Sequence, residues 1–279
     1  MKHGLSFDIE AWFDGNYIGH DPNHYRGKVD DRVVPETHLL LDLLDKKGYK
    51  ATFFILGSVA EDHPKLVQEI YNRGHEIALH HWRHDLIYNK TPDTFRKELI
   101  QAKEFVENLI GDKVYGIRAP SWSISKRKTP WFWEILAEVG LLYSSSRFPT
   151  KNYLYGDPEG ELFIHKINGI WELPPSCIKF LNFNIPFSGG FYFRAFPYTL
   201  TKLFFKKYEK LSKPVIFYLH PREIDSDAPV PKIHLKEKII YKYGIKSTLR
   251  KFSKLLEDFN FCPLKVLIEN FKKECIENE

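Results

Sequence analysis

Short strand-like runs alternate with helix-like segments along most of this 279-residue chain, and that alternation leaves few folds open. Leu5 to Asp8, Ala51 to Leu56, Glu76 to Leu79, Val114 to Ile117, Leu141 to Tyr143, Ile170 to Leu173 and Val215 to Leu219 read as strands. Between them lie segments with apolar residues at helical spacing. Residues 35–47 place Leu39, Leu40, Leu43 and Leu44 on one face and stop at Gly48; residues 63–73 stop at Gly74. Thr91-Pro92-Asp93 combines a capping hydroxyl, a first-turn proline and an early acid, and opens a helix with the stripe Phe95, Leu99, Ala102, Phe105, Val106 and Leu109. A helix opening at Thr129-Pro130 stops at Gly140, residues 197–210 look helical, and 245–275 read as two helices broken by Pro263. Strands that alternate with helices are parallel and helix-covered. The expected fold is therefore a single α/β domain over residues 1–279. It is a distorted barrel of about seven strands, with the helices of 245–275 packed on it.

Two stretches break the pattern. Residues 11–34 form a long polar loop, and residues 147–196 are rich in Pro, Gly and aromatic residues. Loops of this length either bind substrate or are structural insertions. Trp12, Trp122 and Tyr192 stand beside the polar residues discussed next and are candidate sugar contacts, since aromatic faces stack on pyranose rings. A basic amphipathic segment, Thr199 to Tyr208, packs Leu203 and Phe204 on the barrel in the simplest reading; the rival reading rests it on a membrane surface.

The net charge of +5 is mild and no block of like charge suits nucleic acid. No apolar run is long enough to span a bilayer. Cys177, Cys262 and Cys275 lack metal-ligand or disulfide spacing, which points to a reducing compartment. The opening residues are too short for a targeting region, so a cytoplasmic location is expected, with the inner face of the membrane as a variant of it.

The chemistry lies at the strand ends. His80 and His84 stand four apart, and two imidazoles so spaced can face one point. A carboxylate from Ser6-Phe7-Asp8-Ile9-Glu10, brought to that point by the fold, gives a site with two His and one carboxylate and a place for water, as in catalytic zinc sites. Arg118 follows the fourth strand and His220 the last. Active sites of parallel barrels form at the carboxyl ends of the strands. Each residue alone fits a bland role, but all of them in this order do not.

Ala51-Thr52-Phe53-Phe54-Ile55-Leu56-Gly57, Gly74-His75-Glu76-Ile77-Ala78 leading to His80 and His84, Arg118-Ala119-Pro120-Ser121-Trp122 and Tyr218-Leu219-His220-Pro221 resemble the motifs of polysaccharide deacetylases of the NodB-homology type, carbohydrate esterase family four. Asp8-Ile9-Glu10-Ala11-Trp12-Phe13, Pro186-Phe187-Ser188-Gly189-Gly190-Phe191-Tyr192-Phe193-Arg194 and His220-Pro221-Arg222-Glu223-Ile224-Asp225 resemble the bacterial subgroup of exopolysaccharide and surface-glycan biosynthesis. The resemblance runs from about residue 3 to residue 267.

It implies one divalent metal, Zn2+ with Co2+ or Ni2+ as alternatives, held by Glu10, His80 and His84. It implies Asp8 as general base, His220 as general acid and Arg118 as the partner of Asp8. The expected substrate is an N-acetylated sugar, oligosaccharide or lipid-linked glycan, from which acetyl groups are removed. His81 stands where a small residue is usual, so it is expected to crowd the site or add a contact. Tyr143-Ser144-Ser145-Ser146 stands where many members carry an Asp, and Asp225 is the candidate replacement. Two other readings use the same barrel. One is a metal-independent amidohydrolase, separated by metal content; the other is a glycan-binding protein without chemistry, separated by the effect of mutating His220.

Overall fold

The computed structural model describes residues 1–277 apart from Lys126 and Tyr153, and no side chains beyond 272. The strands are β1 (Lys2–Ile9), β2 (Thr52–Ile55), β3 (Glu76–Leu79), β4 (Gly116–Ile117), β5 (Tyr143–Ser144), β6 (His165–Ile167), β7 (Ile170–Glu172), β8 (Cys177–Phe180), β9 (Phe183–Pro186), β10 (Ile216–Leu219) and β11 (Asn260–Cys262). The helices are α1 (Val33–Lys47), α2 (Gly57–Asp62), α3 (Pro64–Asn72), α4 (Pro92–Ile110), α5 (Phe132–Glu138), α6 (Gly190–Ala195), α7 (Tyr198–Lys210), α8 (Leu235–Lys242), α9 (Ile245–Asp258) and α10 (Leu264–Glu277).

Seven strands run parallel in the order β10-β1-β2-β3-β4-β5-β7, which is the distorted (β/α) barrel. β7 and β10 do not pair as strands. The chain between them spans the gap instead: the Ser176 amide donates to the Ile216 carbonyl (3.4 Å), and the Tyr218 amide donates to the Ser188 carbonyl (2.9 Å). Gly189 makes this approach possible, because a Cβ there would overlap the Tyr218 backbone. β6 adds an antiparallel edge to β7, and β8 and β9 form a separate hairpin.

Side-chain alternation along β1 sorts the chain into two cores. Leu5, Phe7 and Ile9 join the large layer between sheet and helices. Gly4, Ser6 and Asp8 face inward. Inside the barrel a smaller cluster contains Phe54, Ala78, Tyr143, Ile216, Leu264, Leu267 and Ile268, so the start of α10 stoppers the end where the strands begin. The α10 N-terminus is tied there: the Leu264 amide donates to Thr52 Oγ1 (2.8 Å) and the Lys265 amide to Glu76 Oε2 (3.1 Å). The opposite end of the barrel is left for polar groups.

Several sequence expectations change. In α1 the buried stripe is Val33, Thr37, Leu40, Leu41 and Leu44, while Leu39 is 45% exposed. The helix starts two residues before the expected 35, and the stripe that meets the sheet is rotated accordingly. In α7 the buried stripe is Thr201, Phe205 and Tyr208, at i, i+4 and i+7; Leu203 points to solvent and Phe204 is half-buried. The loop after β1 is not uniformly polar, since Ala11, Trp12 and Phe13 are buried and Asp14 pairs with Arg26 at 2.6 Å. Between the last two helices lies a strand, β11, which pairs with Lys2–Gly4 of β1; its buried Phe261 and Cys262 explain the pairing.

Two predictions follow from this packing. Leu40→Ala should cost about 2–5 kcal/mol of stability and Leu39→Ala no more than about 0.5 kcal/mol. Chemical denaturation of both variants checks the face assignment, and equal losses would contradict it. His3 and His75 are buried, and their Nδ1 atoms accept from the Val215 amide (3.0 Å) and the Ala51 amide (3.2 Å). Burial lowers both to about 4, below the ordinary 6.5. The unfolded chain therefore takes up protons that the folded chain refuses between these values, so stability is full above about 6.5 and falls as pH drops toward 4. Urea midpoints should follow that slope, more shallowly in His75→Gln; a slope unchanged by that substitution would show that the ring charges in place.

Candidate metal centre and catalytic pocket

The strand ends bring six polar residues to one cavity of about 300 Å3 at the open end of the barrel. Asp8, Glu10, His80, His84 and His220 line it, and Arg118 lies beneath. Asp8 is the last inward residue of β1, and Glu10 follows the strand. His80 extends β3 by one residue, its amide donating to the Ile55 carbonyl (2.8 Å). The chain then turns sharply at His81, in the left-handed region (φ 70°). The carbonyls of His81 and Trp82 accept the Gly57 and Ser58 amides (both 2.9 Å), so the first amides of α2 hold the turn that returns His84 to the cavity. Gly57 is needed for this contact, since a Cβ there would overlap the Trp82 ring.

Glu10, His80 and His84 offer ligand atoms that all lie within 4.8 Å of one another, and all three side chains are buried. His84 Nε2 lies 2.8 Å from Glu10 Oε2, and His80 Nε2 lies 4.0 Å from it. Glu10 Oε2 is enclosed without a well-formed hydrogen bond even at that short distance. An enclosed carboxylate oxygen and two imidazole nitrogens thus converge without satisfying one another. A cation with N and O ligands fits that set. The far nitrogens are anchored, as those of metal-binding histidines usually are: His80 Nδ1 donates to the Arg118 carbonyl (2.7 Å), and His84 Nδ1 lies 3.1 Å from the Asn16 side-chain nitrogen. Burial lowers His80 to about 4 and so keeps it neutral. For His84 burial acts the same way, but Glu10 outweighs it and raises the group. Burial raises Glu10, but His84, His220 and His80 together hold it well below the carboxylate range.

Arg118 is fully buried. It donates from Nη1 to Asp8 Oδ1 (2.6 Å), from Nη2 to Ser145 Oγ (2.7 Å) and from Nε to the Ser145 carbonyl (3.2 Å), and it lies 4.3 Å over the Phe54 ring. His220 Nε2 lies 3.8 Å from Asp8 Oδ2 and 3.6 Å from Glu10 Oε1. Its other nitrogen is held by Glu223 Oε2 at 2.9 Å, and the same oxygen accepts the His220 amide at 3.0 Å. Burial lowers His220, but Glu10, Glu223 and Asp8 outweigh it and raise it.

Three sequence expectations are corrected here. Trp12 is not in the cavity: it is 4% exposed, donates to the Asp30 carbonyl (2.9 Å) and packs on Phe13 and Tyr25, because the chain turns directly after Glu10, the Asp14 amide donating to the Ala11 carbonyl (3.0 Å). Trp122 and Tyr192 do line the cavity. His81 neither crowds nor joins the site; its left-handed backbone turns the ring away onto Phe95 (5.4 Å, 3° between planes) and toward Glu98, and burial lowers it to about 3. Asp225 is not the supporting carboxylate, since it pairs with Arg32 at the start of α1. Ser145 supports Arg118 and Glu223 supports His220. The sequence carried a signal for Glu223, a proline at the first position and an acid three residues after His220, as in a capping box. Asn16 and Tyr17 also line the cavity, within a loop that has no such pattern.

The polysaccharide deacetylase family profile matches residues 28–143, and a domain of unknown function, DUF3473, matches residues 145–269. The chain is 31% identical over 121 residues to chitin deacetylase 1 of Cryptococcus neoformans var. grubii, covering 43% of this chain and 25% of that protein. It is 35% identical over 95 residues to a peptidoglycan-N-acetylglucosamine deacetylase of Bacillus cereus, covering 34% of each. The chain thus spans a quarter to a third of the length of these curated relatives. A putative polysaccharide deacetylase from Mycobacterium smegmatis shares the fold, with a TM-score of 0.64 at 19% identity, over 97% of this chain and 90% of that one.

Zinc titration followed by dialysis should find one tightly held ion. His84→Ala should lower zinc affinity by about 100-fold or more, as expected for loss of a direct ligand, while His81→Ala should leave it unchanged. Zinc retained by His84→Ala, or lost with His81, would contradict this assignment.

Proposed function

We propose that this chain, whose residues 28–143 match the polysaccharide deacetylase family, is a metal-dependent hydrolase that removes N-acetyl groups from an acetamido sugar of a bacterial surface polysaccharide or its precursor. The observation that carries the reading is the convergence of Asp8, Glu10, His80, His84 and His220 in one cavity, with Arg118 bound to Asp8. Neither a glycan-binding barrel nor a metal-independent enzyme needs both halves of that set.

Glu10, His80 and His84 would hold one divalent ion, Zn2+ by the ligand set. Bound there, the metal would supply Lewis acidity, lowering the pKa of a water and polarising the acetamide carbonyl. Asp8 takes the proton of the attacking water. Arg118 fixes one of its oxygens and leaves Oδ2 directed to the cavity. His220 gives its proton from Nε2 to the departing amine, and Glu223 holds the ring by Nδ1 so that Nε2 faces inward. The attacking oxygen and the leaving nitrogen sit on the same tetrahedral carbon, so a base and an acid 3.8 Å apart can address both. Trp122 and Tyr192 offer the sugar ring apolar faces. In this reading residues 1–279 act as one unit, with α9 and α10 completing the barrel. The protein works in the cytoplasm or at the inner face of the membrane.

The test is acetate release from N-acetylated oligosaccharides, lipid-linked glycans and nucleotide sugars, with and without chelator. Asp8→Asn and His220→Ala should keep metal and lose turnover by about 100-fold or more each, the usual scale for acid–base groups. Full activity in His220→Ala would remove it as the acid. Loss of metal in Asp8→Asn would make Asp8 a ligand, and activity that survives complete metal removal would favour the metal-independent reading.

A further inference from the structure

The cavity holds a guanidinium with no ion-pair or hydrogen-bond partner among the described residues. Arg222 lines it two residues after His220 and is 8% exposed. Among the described residues it forms no ion pair and no side-chain hydrogen bond, and its Nη1 is enclosed without a partner. Its guanidinium lies 4.4 Å over the Tyr241 ring, which fixes the plane but satisfies none of the five N–H groups. Buried polar groups are normally paired, and a buried charge without a partner is strongly disfavoured, so one that persists in a cavity calls for a ligand.

The other charges around it are already committed. Asp8 is bound by Arg118 at 2.6 Å, and Glu223 by Arg194 and His220, both at 2.9 Å. Glu10 belongs with His80 and His84. Glu36 pairs with Arg32 at 3.7 Å. Tyr17 lines the same cavity, and its ring meets Tyr241 edge-on at 6.0 Å. A planar fork backed by one aromatic ring and flanked by a phenol matches a two-oxygen anion.

We infer that Arg222, held by Tyr241 and flanked by Tyr17, is a subsite for an anionic oxygen group, carboxylate or phosphate, carried by the acetamido sugar; this rests on the deacetylase reading of the same cavity. The substrate is then an acidic or phosphorylated sugar rather than a neutral one.

The experiment is calorimetric titration of the metal-loaded protein with three sugars: neutral N-acetylglucosamine, N-acetylmuramic acid with its added carboxylate, and N-acetylglucosamine 1-phosphate. At least one acidic sugar should bind about tenfold or more tighter than the neutral one, the scale of a charge-assisted hydrogen bond, and which one does so distinguishes carboxylate from phosphate. Arg222→Gln should erase that preference without changing affinity for the neutral sugar, and Arg222→Lys should restore part of it. Equal binding of all three by the native protein overturns the inference, as does no measurable binding of either acidic sugar. A preference that survives in Arg222→Gln also overturns it, by placing the anion on the metal. The native comparison decides even if the variants fail to fold. Binding is read apart from turnover: acidic preference without acetate release leaves the subsite and removes the deacetylase reading, and acetate release without preference does the reverse.

Discussion

The buried ion pair between Arg118 and Asp8 organises this site. Two charges removed from water are costly, and such a pair persists only when its remaining donors and acceptors are also satisfied. Here Ser145 takes two of the arginine's N–H groups, Asp8 takes a third, and Phe54 lies under the guanidinium. The same residue reaches the metal centre through its backbone, since the Arg118 carbonyl fixes the His80 ring. One residue at the end of β4 therefore sets both the orientation of the proposed base and that of a candidate metal ligand. The two-residue pairing of β4 with β5 is enough for this, because it carries Arg118 and Ser145 to the same level of the barrel.

The barrel interior is layered along its axis. At the end where the strands begin, α10 inserts Leu264, Leu267 and Ile268 among Ala78, Ile216 and Phe54. Arg118 and Asp8 come next, and the open cavity last. The apolar stopper excludes water from below, which strengthens every charge interaction above it. The histidines show the result: burial keeps His80 neutral, while the carboxylates around His84 and His220 draw protons toward those two rings. One fold thus gives three histidines of the same cavity different protonation tendencies.

Much of this was legible in the sequence where a single physical rule dominates. The βα order, the parallel strands and the polar residues at strand ends follow from apolar periodicity and from the geometry of parallel sheets. Trp12 was misread because its sequence neighbours, Asp8 and Glu10, face the cavity, while the chain reverses directly afterwards and buries the indole. His81 was misread because spacing cannot reveal a left-handed residue, and that one backbone angle decides which of two adjacent imidazoles enters the site. Glu223 was legible as a cap but not as the partner of His220, since both of its contacts depend on the turn that Pro221 starts. Arg222 stood inside a recognised stretch after His220 with no role marked for it: its significance lies in what does not surround it.

The central claim is that Glu10, His80 and His84 form the metal centre while Asp8 stays free to act as a base. Anomalous diffraction at the zinc absorption edge from zinc-loaded crystals tests it most directly. The account predicts one peak with Nε2 of His80 and His84 at about 2.0–2.1 Å and a Glu10 oxygen at about 2.0–2.2 Å, with both Asp8 oxygens beyond bonding distance and Oδ1 still on Arg118. A peak with Asp8 inside the coordination shell, or no peak among these side chains, would contradict it.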